Sequence, residues 1–306
     1  MAPHVATEWH WAHNCCSKAD LAHALSNPGV TAIEADVLLS KSTRVPIMAH
    51  PPHDESDLTY VDFLESCLAD GRRSIKLDFK QPECLRPCLD VLATYARAAR
   101  ARARRRAAPS RTKPRPSLLL LLRYAPRVYA TRQVVWLNAD VLPGPGADGA
   151  RAPPLKFAAS EFIALCRQHA PWAVLSLGFR GDLGYGPLDC RAFRPSHVEA
   201  MLAVSRQAED ALFVFAVQAR LAARGDGVAQ LRKLLRAAPK HEILLWTGTG
   251  EPPISTGLLA TIKRRLGRED ALRVTYDCHE VDSFGDWCHL WAYRLLYPFL
   301  KLLGVY

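Results

Sequence analysis

Short, strongly apolar runs recur along the chain and alternate with longer segments whose apolar residues lie three or four positions apart. Short apolar runs are typical of buried β-strands, and the wider spacing is typical of amphipathic helices. Strands are predicted at residues 8–12, 30–39, 74–80, 134–138, 173–177, 212–217, 242–247 and 272–276. Helices are predicted at residues 17–27, 57–69, 83–100, 160–169, 195–208, 228–238, 255–266 and 291–303.

The alternation of strands and helices predicts the fold class. Most of the predicted strands are apolar on both faces and are followed by a helix, which is typical of a parallel sheet closed into a barrel. We therefore expect an α/β fold, a (β/α)8 TIM barrel forming a single domain over residues 1–306. A doubly wound open sheet is the alternative. It is disfavoured because no glycine-rich dinucleotide turn follows an early strand.

One segment interrupts this pattern. Residues 97–116 are rich in arginine, alanine and proline, and residues 101–115 offer no apolar face, so a disordered insertion is predicted there. The segment holds much of the formal net charge of +10, which by itself suggests an anionic partner. Nucleic-acid binding is nevertheless not expected, because the segment lacks interleaved aromatic residues and lies outside the barrel pattern.

Three features of the sequence concern the location of the protein in the cell. The first residues do not form a positively charged stretch followed by an apolar core, so no signal peptide is predicted. The longest apolar run, residues 118–122, is far too short to span a bilayer, and no transmembrane segment is expected. The expected location is the cytoplasm, with the nine cysteines reduced, or outside the cell if the N-terminus is incomplete.

Two carboxylates lie within the second predicted strand. Glu34 and Asp36 are separated by one residue, so on a strand both side chains point to the same face. Like charges on a buried face repel and are costly to desolvate, unless a cation lies between them. Oxygen ligands favour Mg²⁺ or Ca²⁺. The alternative is an edge strand whose polar face is in water.

Further polar residues fall at the carboxyl ends of predicted strands, where barrel enzymes place their active sites. A divalent ion held by Glu34, Asp36 and Asp78 would polarise a phosphoryl group, with Lys80 contacting a phosphate oxygen. His13 and His50 could serve as nucleophile or as general acid and base. The remaining candidates for the pocket are Lys76, Asn138, Asp140, Ser176, Trp246 and Asp277.

Each candidate also has a structural interpretation. A single histidine at a strand end is commonly a hydrogen-bonded structural residue, and Asp78 and Lys80 could simply pair with each other. Asn138 and Asp140 could belong to a turn, and Trp246 could be a packed lid over the barrel mouth.

The order of these motifs resembles a known superfamily. His13, Glu34-x-Asp36, His50 and Asp78-x-Lys80 are arranged as in glycerophosphodiester phosphodiesterases, members of the PLC-like superfamily, and the site resembles that of spider-venom sphingomyelinase D. The whole chain resembles the menorin family within that superfamily. The segments that carry the resemblance are WAHN (residues 11–14), IEADVL (33–38), PIMAHPP (46–52), IKLDFK (75–80) and WLNADVL (136–142).

The resemblance implies a phosphoric diester hydrolase of the phospholipase type. His13 and His50 would be its catalytic pair, Glu34, Asp36 and Asp78 the ligands of one Mg²⁺ or Ca²⁺ ion, and Lys80 its phosphate contact. The substrate would be a phosphodiester or a phospholipid. The alternative is a non-catalytic menorin-type protein that uses the barrel to bind a protein partner in neuronal or sensory-cell maintenance, because a fold does not determine a function.

Overall fold

A computed structural model describes residues 9–107, 133–142, 155–179, 192–248 and 253–281. The strands are β1 (Trp11–Ala12), β2 (Ala32–Leu39), β3 (Pro46–Met48), β4 (Ser74–Phe79), β5 (Val135–Leu142), β6 (Val174–Phe179), β7 (Phe213–Gln218), β8 (Glu242–Trp246), β9 (Ile254–Ser255), β10 (Val274–Asp277) and β11 (Glu280–Val281). The helices are α1 (Lys18–Ser26), α2 (Tyr60–Asp70), α3 (Pro82–Ala107), α4 (Ala159–His169), α5 (Pro195–Ser205), α6 (Ala219–Ala223), α7 (Gly227–Ala237) and α8 (Thr256–Ala271), with a 3₁₀ turn at Arg206–Ala208. The helix predicted at residues 291–303 lies outside the described residues.

The chain divides into two compact units. The Glu34 unit comprises Asn14–Leu137 and Ala164–Val174, and the Asp277 unit comprises Met1–His13, Asn138–Ile163 and Leu175–Tyr306. Strand β5 begins in the first unit and ends in the second.

In the Glu34 unit, β2 is the central strand. It pairs in parallel with β4 and antiparallel with β3. The amide of Ile75 in β4 donates to the carbonyl of Val134, just before β5. All eight residues of β2 are buried. Helix α1 begins where the sequence predicts, since the Ser17 hydroxyl accepts a hydrogen bond from the Asp20 amide.

In the Asp277 unit, strands β6, β7, β8 and β10 pair in parallel. The register places Gln218, Trp246 and Asp277 side by side at the carboxyl ends of β7, β8 and β10. Strands β9 and β11 form a separate parallel pair. Helices α7 and α8 follow β7 and β8 along the chain.

The strand order confirms the predicted fold class. Neighbouring strands of the sheet follow chain order. The Glu34 unit contains β2, β4 and the start of β5, and the Asp277 unit contains the rest of β5 with β6, β7, β8 and β10. Pairing is parallel, and most of these strands are followed by a helix. This is an α/β fold of the TIM-barrel type. Within the described part of the chain, no helix is long and apolar enough to cross a membrane.

Helix α3 extends further than the sequence predicts. It runs through Ala107, so residues 101–107 are helical rather than disordered. The error has a physical cause: we required an apolar face, whereas alanine and arginine are among the strongest intrinsic helix formers and continue a helix without one. Residues 108–116 of the segment lie outside the described residues.

His241, directly before β8, is buried against aromatic rings. Its ring contacts Phe213 and Phe215 edge-on, with centroids 5.2 and 5.7 Å away. The Arg273 guanidinium donates to the His241 carbonyl and also to that of Ala238. Burial, and then the positive charges of Arg273 and Lys240, lower the pKa of His241 to about 4. The neutral imidazole is therefore the form that the folded protein accepts.

This lowered pKa predicts acid sensitivity. The contribution of His241 to stability is complete above its ordinary pKa of 6.5 and is lost as the pH falls toward about 4, because the unfolded chain binds the proton first. The free energy of unfolding should fall by about 2 kcal/mol between pH 7.5 and pH 5. Urea unfolding at both pH values, with His241→Gln beside the wild type, tests this. Equal pH dependence in the two proteins would contradict it.

Candidate metal site and neighbouring residues

Three carboxylates of the Glu34 unit converge. Glu34 and Asp36 lie on β2 and Asp78 on β4, and the strand register sets Asp36 directly opposite Asp78. One oxygen from each carboxylate lies within 4.8 Å of the others. The three residues are only 1%, 2% and 9% exposed. The structure therefore brings together the three predicted ligands, which we call the carboxylate triad.

Electrostatics make the triad costly to leave ionised. Burial raises the pKa of Asp36 well above its usual range. Lys80 opposes this shift, while Asp78 and Glu34 add to it. Oδ2 of Asp36 is buried and accepts no hydrogen bond from any residue that the structure describes. An unpaired buried carboxylate oxygen is expensive, and a bound cation would offset that cost.

Two lysines face the triad. Nζ of Lys80, which follows β4, lies 2.9 Å from Oδ2 of Asp78 and 3.2 Å from Oδ1 of Asp36. Nζ of Lys76, within β4, lies 4.0 Å from Oε1 of Glu34. Three carboxylates and two ammonium groups leave one excess negative charge when all are ionised. The predicted pairing of Asp78 with Lys80 is thus present, and Asp36 shares it.

The loop after β1 orients Glu34. The backbone amide of Asn14 donates to Oε2 of Glu34 at 2.8 Å, and the amide of Cys15 donates to the Glu34 carbonyl at 2.9 Å. Asn14 has a left-handed backbone with φ of 57°, a conformation in which asparagine is enriched. Sequence analysis missed this role, because the contact uses the backbone amide, which every residue but proline carries.

Cys16 was also missed. Its thiol lies near Asp36, and burial followed by the charge of Asp36 raises the pKa of that thiol. The thiol therefore stays protonated beside the carboxylates.

His50 lies at the edge of the triad. It follows β3, and the amide of the preceding Ala49 donates to the Asp36 carbonyl at 3.0 Å. Nε2 of His50 is 3.8 Å from Oδ2 of Asp36, and Nδ1 is 2.6 Å from the Pro51 carbonyl. Because a carbonyl only accepts hydrogen bonds, Nδ1 carries the proton in the neutral ring. Nε2 is then the nitrogen that can accept a proton.

His13 and Asp277 form a pair within the Asp277 unit. Nδ1 of His13 is 2.9 Å from Oδ2 of Asp277, which is 5% exposed. A carboxylate in this position holds Nδ1 protonated, so Nε2 is the unprotonated nitrogen of the neutral ring. Asp277 was predicted as a pocket residue, and the structure gives it a specific histidine partner.

The remaining predicted pocket residues also belong to the Asp277 unit. Ser176 donates to Oδ1 of Asn138 at 2.6 Å, a buried pair joining β5 and β6. Asp140 lies close to Gly178, where an added Cβ would stand 2.6 Å from Oδ1 of Asp140. A side chain at position 178 would therefore displace the Asp140 carboxylate, a constraint that sequence analysis missed. Trp246 is half-buried at the end of β8.

The triad fits a hard divalent cation. All of its donors are carboxylate oxygens, the ligand type that Mg²⁺ and Ca²⁺ prefer. Ligands on opposite sides of Ca²⁺ are about 4.6–5.2 Å apart and those of Mg²⁺ about 4.0–4.2 Å apart, so oxygens within 4.8 Å suit an ion of this class. The unsatisfied Oδ2 of Asp36 is a further sign of fit.

Fold and site together define the class of protein: an α/β, TIM-barrel-type chain with a buried acidic triad that could hold a metal ion. The model of the Menorin N-terminal domain family matches residues 6–103 and 115–281, and the chain belongs to this family. The break in the match, residues 104–114, falls inside the arginine- and proline-rich segment. The chain is also 26% identical to human Protein FAM151B over 245 residues, which cover 79% of this chain and 73% of the relative.

Proposed function

We propose that this protein is a metal-dependent phosphoric diester hydrolase acting on a phosphodiester or phospholipid. The observation that carries the proposal is the carboxylate triad, whose unsatisfied oxygen on Asp36 lies beside His50. Retaining three buried acids and two lysines costs stability that a scaffold without a ligand has no need to lose. The motif order shared with glycerophosphodiester phosphodiesterases and sphingomyelinase D supports the same reaction class.

The residues take distinct roles in this proposal. Glu34, Asp36 and Asp78 would hold the ion, which when bound polarises a phosphoryl oxygen and neutralises its charge. The Lys80 ammonium binds a second phosphate oxygen through a charge-assisted hydrogen bond. His50 accepts a proton at Nε2, or attacks phosphorus through the same nitrogen.

His13 is proposed as the second catalytic group. Within its own unit, the hydrogen bond to Asp277 fixes its tautomer and raises the basicity of Nε2. An acid and a base of matched pKa are both needed to move a proton onto the leaving oxygen. This role remains a prediction, resting on the motif order and on the Asp277 contact.

Hydrolysis assays test the proposed activity. Purified protein is offered lysophospholipids, sphingomyelin and glycerophosphodiesters, with Mg²⁺, Ca²⁺ or chelator. We expect turnover that requires a divalent ion and that falls about 10²–10⁴-fold in His50→Ala and in His13→Ala, since general acid–base catalysis contributes about that factor. His53→Ala, an exposed histidine three residues from His50, is the matched control and should keep full activity.

Saturable metal binding without turnover of any substrate would contradict the proposal. It would favour the alternative, a non-catalytic protein that uses the barrel to bind a protein partner. The affinity for that partner should then survive His13→Ala and His50→Ala.

A further inference from the structure

Lys80 occupies an unusual position relative to the triad. Its ammonium contacts oxygens of two of the three candidate ligands, Asp36 at 3.2 Å and Asp78 at 2.9 Å. Both oxygens belong to residues that face each other across the β2–β4 register. A divalent ion bound by the triad would draw on the same two carboxylates. Lys80 and the ion therefore compete for one set of negative charges.

The two lysines differ in how readily their ammonium groups can move away from the carboxylate triad. The Lys80 side chain is 24% exposed, and its backbone amide is bonded to the Val37 carbonyl, so the ammonium can reach solvent while the backbone stays in place. The Lys76 side chain is 5% exposed and contacts Glu34 at 4.0 Å. A lysine stem is flexible, and its charge is a point charge that can exchange partners. Of these two lysines, Lys80 is the one placed to move.

Charge balance explains why such a cation is needed. Without a positive partner, Asp36 and Asp78 would be two buried, adjacent carboxylates, an arrangement that strongly disfavours the ionised forms. With both Lys80 and a divalent ion in contact, like charges would stand only a few ångströms apart at low dielectric. Each cation thus offsets part of the carboxylate charge on its own, and the two together repel.

We propose that Lys80 is an exchangeable counter-cation of the carboxylate triad, which releases Asp36 and Asp78 to a divalent ion when its ammonium pairs with a phosphate group. This deepens the proposed function and rests on it. A phosphate group that pairs with the Lys80 ammonium leaves the carboxylates to the divalent ion. A divalent ion bound to the carboxylates likewise leaves the ammonium to the phosphate group. Metal and phosphodiester therefore bind with positive coupling, and by linkage the coupling is equal in both directions.

Calorimetric titration of Mg²⁺ and Ca²⁺ into chelator-treated protein tests the proposal, using wild type, Lys80→Met, Lys80→Arg and Lys76→Met. Dimethyl phosphate serves as the phosphodiester probe. Lys80→Met should bind the ion at least about fivefold more tightly than wild type, the lower end of typical coupling factors. Lys80→Arg, which keeps the charge, should not.

The phosphate arm separates competition from a mere change in net charge. Dimethyl phosphate should tighten metal binding at least about fivefold in wild type and in Lys76→Met, and markedly less in Lys80→Met. Any direct contact between phosphate and ion would remain in Lys80→Met, so the difference between the variants measures the contribution of Lys80. Equal tightening in all three proteins would overturn the proposal.

The remaining outcomes are also decisive. Unchanged or weaker metal affinity in Lys80→Met, with wild-type binding intact, would overturn this inference and leave the proposed metal site standing. No ion binding by the wild type would remove both. If Lys80→Met is unfolded in chelator, circular dichroism shows whether it refolds when the divalent ion is added. Refolding supports the exchange. Failure to refold at an ion concentration that saturates the wild type would overturn it.

Discussion

Replacing Glu34 by Gln and Asp36 by Asn together should abolish saturable binding of Mg²⁺ and Ca²⁺. The double change keeps side-chain size and removes two of the three negative charges within 4.8 Å of one another. A single remaining carboxylate, Asp78, already bonded to Lys80 at 2.9 Å, cannot hold a hard cation against water. The expected loss of affinity is more than about 100-fold, larger than the 10–100-fold typical of removing a supporting residue.

Isothermal titration into chelator-treated protein measures this loss directly. Asp54→Asn is a suitable control, because Asp54 is half-exposed and its ion-pair partner is Lys41 at 3.5 Å. The double variant must also be folded, which its circular dichroism spectrum reports. Folded protein that still binds either ion with wild-type affinity would show that the triad is a structural charge cluster.

Arg73→Ala should destabilise the Glu34 unit strongly. The Arg73 side chain is 4% exposed and pairs with Asp70 at 2.6 Å. Its guanidinium also donates to the carbonyls of Val30 and Asn27 at 3.0 and 2.7 Å, tying the end of α1 to the start of β4. Truncation leaves the Val30 and Asn27 carbonyls without this donor and removes the buried guanidinium partner of Asp70. We expect a fall of about 3–5 kcal/mol in the free energy of unfolding.

The neighbouring arginine provides the control. Arg72 pairs with the same Asp70 oxygen at 3.1 Å, but its side chain is 74% exposed. Arg72→Ala should therefore cost less than about 1 kcal/mol, as exposed ion pairs do. Urea unfolding of both variants at neutral pH compares them. Similar losses at the two positions would mean that burial and the backbone contacts of Arg73 contribute little.

Local patterns in the sequence predicted the chemistry of the triad, while its assembly depends on pairing between distant residues. The alternation along β2 places Glu34 and Asp36 on one face, a consequence of strand geometry alone. That Asp36 faces Asp78 follows from the β2–β4 register. A register is set by packing across the sheet and by turns, so one sequence gives only the candidates.

Other contacts have no sequence signal of comparable strength. Strand β4 ends at Phe79, so the side chain of Lys80 lies just beyond the strand end. There its ammonium contacts two carboxylates. Asn14 contributes its backbone amide, which every residue but proline carries. The pairing of His13 with Asp277 joins residues 264 positions apart in the chain, a separation that no local sequence pattern spans.

The length of α3 separates the triad from the segment where the family match is interrupted. The helix begins at Pro82, two residues after Lys80, and its 26 residues extend about 39 Å at 1.5 Å per residue. The break in the family match, at residues 104–114, starts near the far end of this helix. We expect additional sequence there to leave the register of β2 and β4 unchanged. The same position is therefore a suitable point for inserting an affinity tag or a fluorophore while the triad is studied.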